Sequence, residues 1–104
     1  MTMTNDRDLY SGMIRLRILH HADKDLIFGS GMAEELAHYG YKISPGTLYP
    51  ILHSLEKRGY LRSSEDRSGK SIRRVYGITP AGRRALKKAK QRVRELFGEL
   101  IEDR

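Results

Sequence analysis

Four imidazoles, His20, His21, His38 and His53, are the side chains of this 104-residue chain best suited to moving a proton near neutral pH, and there is no Cys. None of the four stands in an H-x-x-x-H or Cys/His spacing that would build a metal site. The adjacent His20-His21 pair fits a satisfied or solvated helix end far better than a metal shared across a dimer. Gly29-Ser30-Gly31 is too short for a phosphate-binding loop and lacks the Gly-Lys-Thr/Ser that should follow. No Ser or Thr stands beside an evident base. Catalysis, a metal and a cofactor are therefore not expected.

The chemistry that remains is recognition of a polyanion. Lys and Arg number 20 against 13 Asp and Glu, a formal net charge of +7, and an excess of that size suits a nucleic-acid partner. Arg67, Lys70, Arg73 and Arg74 gather around a polar, glycine-containing stretch, and each could neutralise a phosphate. Lys57 and Arg58 add to the same side. For any one of them an ordinary solvated surface is an equal explanation; together, beside a polar helix face, they favour nucleic acid. Tyr49 could donate its hydroxyl to a phosphate, the commonest class of contact, or half-bury its ring against the hairpin. His53 offers a donor to a phosphate or a base edge, or nothing. Thr47 and Ser44 carry further hydroxyl donors, although capping already accounts for Ser44.

The element that must hold most of these residues runs from Ser44 to Gly59. Ser44 is placed as an N-cap, Pro45 as the first helical residue, and Gly59 as the glycine that closes the helix after basic Lys57 and Arg58. Leu48, Ile51, Leu52 and Leu55 share one side of a 3.6-residue wheel. Gly46, Pro50, His53 and Lys57 share the other, with Tyr49 at the flank. Pro50 deletes a backbone hydrogen bond within the helix, and Gly46 four residues earlier leaves room for the distortion. A polar, slightly kinked face with small residues at its start suits a helix pressed against something large.

Upstream, Asp6 could cap a helix to about Ala22 whose broad apolar stripe takes in Leu9, Met13, Leu16, Leu19, Ile14 and Ile18. Ala22-Asp23-Lys24-Asp25 then reads as a turn. Leu26-Ile27-Phe28, ended by Gly29-Ser30-Gly31, is either a short strand or a buried connector. A helix over Met32 to Tyr39, capped by Gly40, joins tightly to the next and completes a helix-turn-helix. Downstream, Tyr60 to Glu65 and Ile72 to Ile78 form a β-hairpin around the tip Asp66–Ser71. Thr79-Pro80 opens a last helix to about Glu102, basic outside its first half and acidic at its end.

These elements make a mainly α fold with a small β-hairpin: a winged helix-turn-helix with a C-terminal dimerisation helix. Residues 1–79 form the DNA-binding domain and residues 80–104 the added helix. On that helix Leu86, Ala89, Val93, Leu96 and Leu100, with Phe97 and Ile101 beside them, form a coiled-coil-like seam. Exposed, the seam would be prone to aggregate; a second copy would cover it. Folding back on the first helix is the alternative, and both can hold. Apolar residues at 38% permit one small domain, whose burial a partner could complete. With no signal peptide or membrane span, the cytoplasm is the expected location.

The strings Ile43-Ser44-Pro45-Gly46-Thr47-Leu48-Tyr49-Pro50-Ile51-Leu52, Leu55-Glu56, Gly59-Tyr60-Leu61 and Arg73-Arg74-Val75-Tyr76-Gly77-Ile78-Thr79-Pro80-Ala81-Gly82 resemble the signatures of PadR-like transcriptional regulators. Their order and spacing are kept over nearly the whole chain. The resemblance implies a bacterial winged-helix regulator, usually a repressor, that dimerises through its terminal helices and binds inverted repeats. It implies that Tyr49, with Gly46, Thr47 and His53, lies at DNA and that Arg73 and Arg74 lie on the wing's returning strand. It also allows a small apolar or aromatic effector, in some members held between subunits. Two departures stand out. Ser30-Gly31-Met32 replaces the frequent His-Gly-Tyr, and no Trp is present, so Phe97 or Tyr10 would have to stack on such an effector.

The expected function is sequence-specific regulation of transcription by a homodimer on double-stranded DNA, with no membrane partner. A winged-helix protein-interaction module and a sequence-nonspecific nucleic-acid binder are the alternatives.

Overall fold

A computed structural model describes residues 7–103. In chain order the elements are α1 (Arg7–Lys24), β1 (Ile27–Phe28), α2 (Gly29–His38), α3 (Pro45–Lys57), β2 (Leu61–Asp66), β3 (Arg73–Ile78) and α4 (Pro80–Leu100). The expected cap at Asp6 lies outside the described residues. α1 continues through the expected turn to Lys24, with His21 and Lys24 as the basic groups of its last turn.

The wing is larger than a hairpin. β1 pairs antiparallel with β3, Ile27 opposite Tyr76 and Phe28 opposite Val75, so the sheet has three strands in the order β1-β3-β2. The two-residue run after α1 is therefore a strand, one alternative the sequence left open. Gly29 and Gly31, read as its terminators, are instead in the first turn of α2. They sit there because two rings need the space. A Cβ on Gly29 would stand 2.2 Å from the Tyr49 hydroxyl, and one on Gly31 would stand 3.0 Å from the Phe28 ring.

Both helices of the helix-turn-helix end the same way. After α2, Gly40 (φ +92°) lets Tyr41 N–H reach the Leu36 carbonyl at 2.8 Å; after α3, Gly59 (φ +82°) lets Tyr60 N–H reach that of Leu55 at 2.9 Å. These positive φ angles suit glycine, and the long return bond satisfies carbonyls the helix leaves open. The start of α4 is tied to the end of α3. Thr79 accepts from Gly82 N–H at 2.9 Å, and donates its own hydroxyl to the Gly59 carbonyl. Thr79 N–H donates to the Tyr60 carbonyl at 3.1 Å. A Cβ on Gly82 would meet that same carbonyl at 2.2 Å, so the Gly-Tyr-Leu and Thr-Pro-Ala-Gly strings are two halves of one joint.

The core lies where the three strands, α1, α2, α3 and the root of α4 converge. Leu48, Ile51, Leu52 and Leu55 of α3 are all buried, each contributing about 1.5–3 kcal/mol of apolar burial. Leu61, Tyr76 and Leu86 bring the sheet and α4 to them. α1 divides its apolar arc: Ile14, Ile18, Leu19 and Ala22 face this core, whereas Leu9 and Met13, expected in the same stripe, are exposed.

Candidate nucleic-acid interface

Because α3 buries its leucine face, it turns the opposite one outward. Gly46, Tyr49, Pro50, His53 and Lys57 are exposed, and Ser44 is exposed at the helix start with Thr47 half-buried behind it. The cap differs from expectation. Ser44 holds the N-cap position, but its side chain makes no capping bond; its hydroxyl lies 3.4 Å from that of Thr47. The Ser44 carbonyl takes the amides of Thr47 and Leu48 instead, so capping does not consume the hydroxyl and both groups stand at the helix mouth.

Tyr49 is 40% exposed. Its ring leans over the start of α2, with the hydroxyl at Gly29. The His53 ring is 6.4 Å away on the same face. The Tyr49 hydroxyl is therefore presented at the junction of β1, α2 and α3, where only a glycine leaves room for it.

Arg73 and Arg74 point to opposite faces of the sheet, as the two-residue strand period requires. Arg73 stacks its guanidinium 4.1 Å above the Phe28 ring and pairs with Asp66 at 2.9 Å. Asp66 also accepts from the amide and hydroxyl of Ser68 at 3.0 and 2.6 Å. These Ser68 bonds, with the Arg73 bond behind them, hold its carboxyl down at about 2. Arg74 turns toward α3 and donates to the Ser63 hydroxyl at 3.0 Å. Ser63 in turn donates its hydroxyl and its amide to Glu56 on α3, at 2.6 and 3.1 Å. Those two bonds, and the charge of Arg74, lower the pKa of Glu56 below the usual carboxylate value.

Arg67 and Lys70 stand exposed at the wing tip, Arg67 against Glu65 at 2.7 Å. The wing and α3 thus bring Ser44, Gly46, Thr47, Tyr49, His53, Lys57, Arg67, Lys70, Arg73 and Arg74 to α3, its N-terminus and the adjoining wing. Glu56, Ser63, Phe28 and Gly29, which position them, were not singled out from the sequence. Glu56 is the one acid in the last two turns of α3, the only local signal it gave. Beneath this group the Tyr76 hydroxyl is buried without a hydrogen-bond partner among the described residues, and burial raises its pKa.

The far side of the molecule is different in kind. Leu86 is buried in the protomer and Ala89 is half-buried. Beyond them Val93, Leu96, Phe97, Leu100 and Ile101 are 49–71% exposed, beside Met13 of α1. Between α1 and α4 runs an open groove of about 580 Å³, floored by Met13, Leu16, Leu86, Val93 and Phe97 and edged by cationic Arg17, Lys90 and Arg94. Burial and the neighbouring Lys24, His21, Lys90 and Arg17 depress the pKa of His20, which also lines it. Phe97 faces this groove, whereas Tyr10 is engaged edge-on with Tyr41 at 6.0 Å.

Among the described residues no group of His, Asp and Glu is arranged to hold a metal, and no helix is long and apolar enough to cross a membrane.

Comparison with known proteins gives this arrangement a context. The transcriptional regulator Rv3488 of Mycobacterium tuberculosis (strain ATCC 25618 / H37Rv) is 43% identical over 95 residues, 91% of this chain and 89% of that one. The crystal structure of a PadR family transcriptional regulator from Eggerthella lenta DSM 2243 superposes with a TM-score of 0.77 at 29% identity, covering 93% of this chain and 88% of that chain. A PadR-like transcription factor from Bacteroides fragilis shares the fold at a TM-score of 0.80 and 22% identity, over 97% and 99% of the two chains. The sequence profile described as "Transcriptional regulator PadR-like family" matches residues 18–88, from the middle of α1 to the root of α4. With these matches resting on the winged helix-turn-helix itself, the chain belongs to the PadR-like family of transcriptional regulators, proteins that act by binding DNA and not by catalysis.

Proposed function

We propose that this protein is a sequence-specific, homodimeric repressor that binds an inverted-repeat operator. One observation carries the reading: α3 keeps a continuous polar face uncovered beside a wing whose arginines are held in fixed directions. In this reading α3 enters the major groove, where Tyr49, Gly46, Thr47, His53 and Lys57 meet bases and phosphates, with the Ser44 hydroxyl beside them. Arg67, Lys70, Arg73 and Arg74 anchor the wing on the backbone.

Residues 1–79 serve as the DNA-binding unit and residues 80–104 as the dimerisation helix. Ala89, Val93, Leu96, Phe97 and Leu100 pair with a second copy, joined by the outer arc of α1, while Leu86 anchors the helix to its own protomer. A small apolar or aromatic effector would lie in the groove floored by Phe97, where it could alter the spacing of the two recognition helices. The site of action is the cytoplasm, with the chromosome.

Selection of bound duplexes from a random pool tests the reading. The expected product is an inverted repeat whose half-site centres lie about 34 Å apart, one helical turn, or a multiple of it. Transcription from a promoter carrying that repeat should fall when the protein is added. Recovery of no consensus would favour sequence-nonspecific binding, and no retention of DNA even at low salt would favour a protein-interaction module.

A further inference from the structure

Among the described residues a polar relay joins the wing to the recognition helix, and its root is acidic. Glu56 lies on α3 one turn after His53 and one residue before Lys57, on a helix expected to approach a polyanion. A carboxylate in that place would ordinarily weaken binding by repulsion. Yet this one takes both polar hydrogens of Ser63, on β2, and the Ser63 hydroxyl receives Nη1 of Arg74, on β3.

The sheet register explains why the relay reaches so far. Ser63 is opposite Tyr76 and Glu65 is opposite Arg74, so Ser63 and Arg74 are diagonal neighbours on the sheet face turned toward α3. On that face Leu61 and Tyr76 are buried. Tyr76 is opposite Ser63 and two residues along β3 from Arg74, and its hydroxyl makes no hydrogen bond among the described residues. Among the described residues, the relay from Glu56 is the polar link between α3 and the outer part of the wing.

We propose that Glu56 is a positioning residue for DNA binding: its carboxylate fixes the wing against α3 and, through Ser63, aims Arg74. This rests on the reading of α3 and the wing as the DNA-binding face. Nη1 is the one Arg74 nitrogen seen bonded to Ser63, so the remaining guanidinium N–H groups can meet a phosphate. The cost of an acid near DNA is then offset by a better-placed cation.

The proposal predicts an effect opposite in sign to simple charge removal. Glu56→Ala deletes a negative charge near DNA together with the acceptor of both Ser63 hydrogens, and should weaken binding to the selected operator by about tenfold, the scale of one charge-assisted contact. The slope of log affinity against log salt should shrink by roughly 0.9, one phosphate contact. Ser63→Ala, which keeps the carboxylate and breaks the relay, should weaken binding in the same direction. In an Arg74→Gln background neither substitution should weaken it further.

Affinity measured by fluorescence anisotropy across a salt series, with melting curves to establish folding, reads all of these. Glu56→Ala binding as tightly as the parent or more tightly would overturn the proposal, as would an equal loss with and without Arg74. If Glu56→Ala failed to fold, Ser63→Ala against Arg74→Gln would decide by the same comparison. If the parent bound no duplex at all, the DNA-binding reading itself would fall, which is a distinct outcome.

Discussion

The α3-and-wing face and the outer half of α4 are both exposed, but they are exposed differently. On the first, several side chains are already engaged: Tyr49 over Gly29, Arg73 on Phe28 and Asp66, Arg74 through Ser63 to Glu56. The surface is polar and its directions are set before any partner arrives, which limits the ordering cost of binding. On the second, Val93, Leu96, Phe97 and Leu100 are about half or more exposed and apolar. That surface is unfinished rather than preorganised. A prepared polar face suits a partner met reversibly, and an open apolar seam suits one kept.

The sharpest way to break this contrast is at the seam. Because Leu96 and Leu100 touch little within the protomer, Leu96→Ala/Leu100→Ala should leave the monomer fold intact and cost several kcal/mol of dimer stability, at about 2–5 kcal/mol for each leucine buried in the dimer. Sedimentation equilibrium of parent and variant at matched concentration reads this. A parent that is monomeric at micromolar concentration, or a variant dimer of equal strength, would move the interface to α1.

Two glycines separate folding from function on the other face. Gly82→Ala drives a methyl into the Tyr60 carbonyl, a rigid backbone atom, and should cost about 1–3 kcal/mol of stability. Gly29→Ala meets the movable end of Tyr49. It should keep most of the melting temperature and lose DNA affinity as the tyrosine is displaced. Equal thermal losses for the two would show that the Tyr49 seat is structural.

A smaller effect sharpens the role of Tyr49 itself. Tyr49→Phe should weaken binding to all duplexes alike by about 1 kcal/mol if the hydroxyl meets phosphate. A loss of preference at one base pair, with nonspecific affinity unchanged, would assign the hydroxyl to a base edge.

The smallest expected effect is acid loosening of the wing. Glu56 and Asp66 are both more acidic in the folded chain than their ordinary values of 4.5 and 3.8, Asp66 at about 2. Groups with lowered pKa stabilise the fold fully above their unfolded values and lose that contribution as pH falls through the folded ones. Amide exchange at Ser63 and Ser68 should therefore speed up as pH falls below the ordinary carboxylate values, relative to amides in α3, while remaining level above them. No change at either serine would show that the two carboxylates do not hold the wing.

Periodicity and end signals determined much of this molecule. The four leucine and isoleucine positions of α3, its start at Pro45, the glycine stops at Gly40 and Gly59, and the Thr79-Pro80 opening of α4 follow from local rules, because a helix end is satisfied by its own neighbours in sequence. The long strings shared with PadR-like regulators carried the family. What remained open was whatever depends on residues far apart in the chain. Three residues at 26–28 could not reveal that Ile27 and Phe28 would pair with β3, since a strand that short is defined by its partner. Gly29 looked like a terminator until Tyr49, twenty residues later, was seen to require it bare. The apolar arc of α1 could not be divided in advance, because which side met the core depended on where α2, α3 and α4 settled. Glu56 in the sequence is one acid in a basic stretch; only the register of β2 against β3 places Ser63 under it and Arg74 beyond, and hydrogen bonds of that kind exist only once the strands are packed.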